Sequence, residues 1–148
     1  MITYEKLDRW KYRLATAYTF KANLPLKLRP SKKVGLGTSS QQDIVSYDPE
    51  TDCVTVRAGY CWDGPSGPTI DDDRAMRPSL IHDAYYQLIR MGLLPEGARK
   101  HADEHYAREL KYNGYPKWRY LLHYKVLQMF GADAAKVGTE RPKILTAP

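Results

Sequence analysis

Between Tyr60 and Tyr86 the chain reads Tyr-Cys-Trp-Asp-Gly-Pro-Ser-Gly-Pro-Thr-Ile-Asp-Asp-Asp-Arg-Ala-Met-Arg-Pro-Ser-Leu-Ile-His-Asp-Ala-Tyr-Tyr. This stretch restricts the fold more than any other. Asp63 to Pro68 carries too many Gly and Pro residues for a helix or strand interior, so it is a loop. Its glycines let backbone approach a ligand closely, and its prolines stiffen the path. Asp71 to Asp73 form an acidic turn. Arg77-Pro78-Ser79 then reads as a helix start, with Pro78 near the first helical position. From there Ile81, Tyr85 and Leu88, and likewise His82, Tyr86 and Ile89, fall at helical spacing. Neighbouring helix residues diverge by about 100°. His82 and Asp83 can therefore border one cleft while pointing at different things.

The flanking segments place strands before this loop and helices after it. Residues 3–14 have a weakly helical pattern through Leu7, Trp10 and Leu14. Residues 16–28 read as a strand despite Pro25, and residues 30–42 as a loop. Ile44 to Tyr47 and Cys53 to Val56 flank the turn Asp48-Pro49-Glu50-Thr51-Asp52, which predicts a β-hairpin leading into Asp63. After the first helix, Met91 to Gly97 is a stop followed by a new start, and a second helix is expected from about Glu96 to Tyr112. The short connection favours antiparallel packing, which brings Asp103 across from His82. Asp103, Tyr106 and Leu110 share one face of that helix. A third helix, about Pro116 to Phe130, has an apolar stripe of Trp118, Leu121, Leu122, Val126 and Met129, expected to pack on the core. The expected architecture is α+β: a small antiparallel β-element in the N-terminal half packed on a helical half with two antiparallel core helices. One domain spans 1–148, with a β-rich half at 1–58, the loop and three helices at 59–130, and an extended tail at 131–148.

A Gly-rich loop, an acidic turn and then His82-Asp83-Ala84-Tyr85-Tyr86 on a helix resemble the secretory phospholipase A₂ superfamily, above all its disulfide-poor form in parvovirus capsid proteins. That form continues with a Gly/Pro break and a helix bearing Ala-Asp-x-x-aromatic, matched by Ala102-Asp103-Glu104-His105-Tyr106. The string also resembles an uncharacterised domain family of phages and prophages, with Asp-Gly-x-Ser-x-Pro before His-Asp-x-x-Tyr. Together the likenesses cover roughly residues 58–114. They imply that His82 is a base acting on water and that Asp103 orients it. They imply calcium held by Asp83 and by the loop at Trp62, Asp63 and Gly64. Tyr86, Tyr106 and Ser66 would support the site, and a glycerophospholipid ester would be the substrate. The alternative is a noncatalytic phage virion or tail component that keeps the same helix pair as a scaffold. The expected partners are accordingly an anionic phospholipid surface or phage structural proteins.

Three rival chemistries compete. The HD phosphohydrolases need a histidine upstream of His-Asp, but all four histidines are His82, His101, His105 and His123. His101 and His105 have the spacing of a zinc pair but lack the glutamate of His-Glu-x-x-His, and are expected to flank Asp103 on the helix exterior. Ser66 lacks the strand–elbow–helix context of a serine nucleophile. Net charge is +6 over 148 residues, concentrated in the first third, from Lys6 to Lys33. Such a bias suits an anionic membrane, nucleic acid or an acidic partner. No zinc-finger, helix-turn-helix or aromatic RNA-binding signature accompanies it, so specific nucleic-acid recognition is not expected. No apolar run approaches the ~20 residues of a membrane span. No secretory h-region opens the chain, and two cysteines make no disulfide framework. The expected place of synthesis is therefore a host cytoplasm, with incorporation in a phage particle under the second reading.

Overall fold

β-branched residues are about twice as frequent in the first sixty positions as in the rest, and the chain divides accordingly. The computed structural model describes residues 1–7, 12–37, 43–65 and 72–136. Among them are strands β1 (Tyr4–Lys6), β2 (Tyr12–Leu14), β3 (Tyr18–Lys21), β4 (Val34–Leu36), β5 (Val45–Asp48), β6 (Cys53–Val56) and β7 (Cys61–Trp62). Helices α1 (Asp73–Arg90), α2 (Ala98–Tyr112) and α3 (Lys117–Ala134) follow. The fold is α+β. All pairing is antiparallel, in one sheet of order β1-β2-β7 and a second of order β3-β6-β5-β4.

The expected hairpin is β5–β6, with Val45 opposite Val56 and Tyr47 opposite Val54, all four fully buried. Its turn closes on Asp52, which adopts a left-handed φ of 51°. Asp52 is buried and accepts hydrogen bonds from the Leu24 amide, the Tyr47 hydroxyl and Arg29. A carboxylate receiving three donors holds a conformation that Asp tolerates better than most residues. Burial, followed by the bond to Asp52, pushes the Tyr47 hydroxyl up to about 12.

Within residues 3–14, Tyr4–Lys6 and Tyr12–Leu14 are strands, not the weak helix that Leu7, Trp10 and Leu14 suggested; Trp10 lies outside the described residues. Tyr12 and Leu14 are buried with Arg13 exposed between them, which is strand alternation. The rings of Tyr4, Tyr12 and Trp62 pack within 5.9 Å of one another. That aromatic contact across β1, β2 and β7 outweighs a three-residue helical spacing. Residues 16–28 give β3 and a short 3-10 turn at Leu26–Leu28, and β4 interrupts the expected loop at 30–42.

Helix α1 is the centre of the molecule, with both its Ile81/Tyr85/Leu88 and His82/Tyr86/Ile89 faces buried. It begins at Asp73, four residues before Arg77, because Asp72 caps it by accepting the Arg74 amide at 2.9 Å. Pro78 therefore lies inside the helix, where it deprives the Arg74 carbonyl of its usual amide donor. The Asn113 side chain supplies a replacement, donating to that carbonyl at 2.6 Å. Arg74 meets Asn113, Arg77 meets Glu109 and His82 meets Asp103. One number rises as the other falls, so α1 and α2 are antiparallel. α3 returns along α2, through Arg99–Leu127, Asp103–Gln128 and Tyr106–His123.

Two expectations for the C-terminal end are corrected. The helix continues to Ala134, so 131–134 are not extended tail; residues 137–148 lie outside the described part. Nor does the apolar stripe of α3 pack on the core. Trp118, Leu121, Leu122 and Met129 are exposed, and the inward face is instead His123, Leu127 and Gly131.

Candidate functional site

The antiparallel pairing of α1 with α2 determines what the two sequence motifs can do together. His82 Nε2 lies 2.9 Å from Asp103 Oδ1. His82 is 5 % exposed and Asp103 is wholly buried. A carboxylate facing only donors must accept, so Nε2 carries the proton, and in the neutral ring Nδ1 holds the free lone pair. The tautomer follows from this contact.

Asp103 is itself fixed from every side. The Tyr86 hydroxyl donates to Oδ1 at 2.8 Å. Arg99 donates to Oδ2 at 3.1 Å and Gln128 at 2.8 Å. The four donors match the four lone-pair sites of a carboxylate, and the buried charge is paired by Arg99. Arg99 also donates to the Leu127 carbonyl, so α3 clamps the pair from behind. A Cβ on Gly131 would overlap the Tyr86 hydroxyl, so the close approach of α3 at this point requires glycine.

The tyrosines surround the imidazole. Tyr86 lies 4.1 Å and Tyr106 5.3 Å from the His82 ring, centre to centre. Burial pushes both hydroxyls well above their usual range; for Tyr86 the Asp103 charge adds to it, and for Tyr106 the charges of Tyr115 and Asp83. The Tyr106 hydroxyl lies 3.2 Å from His123 Nδ1.

The residues expected to hold metal are described in part. Asp83 is half-buried on α1, and its charge acts on Tyr106. Trp62 is buried at the end of β7, and its indole donates to Ser79 Oγ at 3.1 Å, tying the loop entrance to α1. Asp63 is exposed, and Gly64 is buried with a φ of 80° that favours glycine. Ser66 lies outside the described residues. The donors are all oxygen, which suits a hard cation. Among the described residues no three or more His, Cys, Asp or Glu side chains gather as a metal cage. Backbone carbonyls and water would have to complete such a shell.

His101 and His105 are not on the helix exterior. Both are buried toward the sheet, opposite the Asp103 face. His101 Nε2 donates to the Ala22 carbonyl at 2.7 Å, and the Tyr85 hydroxyl donates to the same oxygen. His105 Nδ1 lies 3.1 Å from Tyr85, and its Nε2 lies 3.6 Å from Glu109, a looser approach than a hydrogen bond. α2 thus buries two faces, with polar rings satisfied on one and the His82–Asp103 pair on the other. Sequence reading missed Arg99 and Gln128. Arg99 was discoverable as the residue one turn before Asp103, an i, i+4 pair. Gln128, which reaches Asp103 from another helix, had no local signal. Compared with protein-family models, with curated proteins and with solved structures, the chain matches none.

Proposed function

We propose that the chain is a hydrolase in which His82 is the general base and Asp103 its orienting partner. The observation that carries this reading is the 2.9 Å contact of His82 Nε2 with a carboxylate fixed by three further donors. Such an arrangement holds one tautomer and one ring orientation at little entropic cost. Nδ1 takes a proton from water as its oxygen bonds to an ester carbonyl carbon. The resulting imidazolium is stabilised through Nε2 by Asp103. It then returns the proton to the departing alkoxide as the tetrahedral adduct collapses to acid and alcohol. The likeness to phospholipases A₂ assigns the substrate class, a glycerophospholipid ester. Calcium, the cofactor that likeness implies, would be held by Asp83 with the Trp62 and Gly64 carbonyls and Asp63. It would supply positive charge for the oxyanion and the substrate phosphate.

A second reading rests on the burial of the pair, with His82 only 5 % exposed. A phage virion or tail component would use the same network to lock α1, α2 and α3 together. The described helices include none long and apolar enough to cross a membrane, which is compatible with either role.

Phospholipid hydrolysis by wild type beside His82→Gln separates the two. The hydrolase reading expects a loss of about 10²–10⁴-fold, with the variant still folded. Equal, background-level rates in both proteins would leave the scaffold. For calcium, millimolar ion should raise the melting temperature through linkage. Asp83→Asn should abolish that rise, and an unchanged rise would locate the ion elsewhere.

A further inference from the structure

We propose that α3 docks the protein onto an anionic lipid surface. Trp118, Leu121, Leu122 and Met129 are 67, 42, 45 and 72 % exposed. At 100° per residue they fall, with Lys125, within an arc of roughly 100° on the side of α3 opposite His123 and Leu127. Scattered exposed apolar residues are ordinary, whereas a stripe along about three turns marks an interaction site.

Charge selects the occupant. From Leu110 to the end of α3 at Ala134 the sequence contains four basic residues, Lys111, Lys117, Arg119 and Lys125, against one acidic residue, Asp133. Lys117 and Arg119 flank Trp118, and Lys125 sits within the stripe, exposed. A second copy of the chain would bring the same basic stripe against itself, because a two-fold contact pairs identical patches. Its three basic side chains, Lys117, Arg119 and Lys125, would then share a single carboxylate on the facing helix, Asp133. A bilayer interface supplies both requirements at once. Leu and Met side chains enter the acyl boundary, Trp118 sits at headgroup depth, and the basic stems reach to anionic headgroups. The opposite face is already committed to Tyr106 through His123, and Gln128, beside Leu121 at the edge of the stripe, is committed to Asp103. The helix therefore lies on a surface with its outer face while its inner face stays in the protein. This assignment stands whether or not His82 hydrolyses anything.

The test is cosedimentation of the full chain with vesicles of phosphatidylcholine alone or with about one third phosphatidylglycerol. EDTA is present, so that binding is read apart from any calcium-dependent hydrolysis. Wild type should bind the anionic vesicles about tenfold or more tightly than the neutral ones, the preference weakening as salt rises. Leu122→Ser combined with Met129→Ser should lower that binding by about tenfold or more with an unchanged melting temperature, since both positions are exposed. Lys117→Gln combined with Lys125→Gln should erase the preference for anionic lipid. Absent vesicle binding, or binding indifferent to the Ser pair, overturns the proposal. So does self-association that the Ser pair abolishes, which would assign the stripe to a second copy. Equally tight binding to polyglutamate would assign it to an acidic protein instead.

Discussion

Asp103 receives four hydrogen bonds, and all four neighbours are donors. Asn at this position would seem conservative, yet it removes the charge that pairs with Arg99, and Tyr86 and His82 can accept its NH₂ only if the hydroxyl turns and the imidazole changes tautomer. Asp103→Asn should therefore destabilise the protein by about 2–4 kcal/mol, and urea unfolding measures this directly. A cost under about 0.5 kcal/mol would mean that the network does not hold the helices together. His82→Gln is the milder change, since a Gln amide can donate to Asp103 and no buried charge is orphaned. Its stability cost should be about 1–2 kcal/mol, so loss of activity in this variant reads chemistry, not unfolding. Gly131 belongs to the same network at one remove. Gly131→Ala overlaps the Tyr86 hydroxyl and should cost about 1–3 kcal/mol. Tyr86→Phe removes the atom that is struck. The double variant should therefore cost less than the sum of the two single ones, and simple additivity would place the collision elsewhere.

At the level of elements, α1 illustrates what local sequence can and cannot indicate. Its existence and both buried faces were legible from the spacing of Ile81, His82, Tyr85, Tyr86, Leu88 and Ile89. Its start was not. Proline usually marks the first turn, but here the lost bond at the Arg74 carbonyl is made good by Asn113 from the end of α2, a partner 39 residues away that no local pattern announces. Asn113→Ala should cost about 1–2 kcal/mol. Pro78→Ala restores an amide that can reach the same carbonyl, so the double variant should recover most of the loss. Failure of Pro78→Ala to rescue Asn113→Ala in thermal melts would refute this account of the helix start. α3 failed differently: the period of its stripe was read correctly, but periodicity alone does not say which face of a helix is turned inward. The polar-looking face, with His123 and Gln128, goes inside because it supplies partners to Tyr106 and Asp103.

Across the whole molecule, the strand-then-helix order and the His82–Asp103 encounter followed from sequence. The reason is that a short α1–α2 connection leaves few ways to pack two amphipathic helices. The second buried face of α2 was hidden, because histidines at 101 and 105 look like surface residues until a sheet edge offers the Ala22 carbonyl. That face couples the sheet to the helices and carries a pH dependence of its own. Burial, reinforced by the positive charges of His105 and Arg108, lowers the His101 pKa from 6.5 against the opposing bond to Ala22. The unfolded chain then takes up this proton more readily than the native one. The titration of His101 thus adds nothing well above pH 6.5, and it destabilises the fold progressively as pH drops from there toward its native value. Glu109 acts lower on the scale. The His105 imidazole 3.6 Å away, and the charges of Arg77 and His105, depress its pKa below 4.5 in spite of burial. Its contribution is therefore present above pH 4.5 and is lost as pH falls through the depressed value. His101→Gln keeps a donor for Ala22 but cannot titrate. The stability gap between wild type and His101→Gln should narrow as pH falls from 7.5 to 5. That between wild type and Glu109→Gln should hold over this range and narrow only below about 4.5. Urea midpoints at pH 7.5, 6, 5 and 4 are enough to check both. If the His101→Gln gap stays constant or widens on acidification, the buried imidazole is not the group through which acid loosens the sheet from the helices.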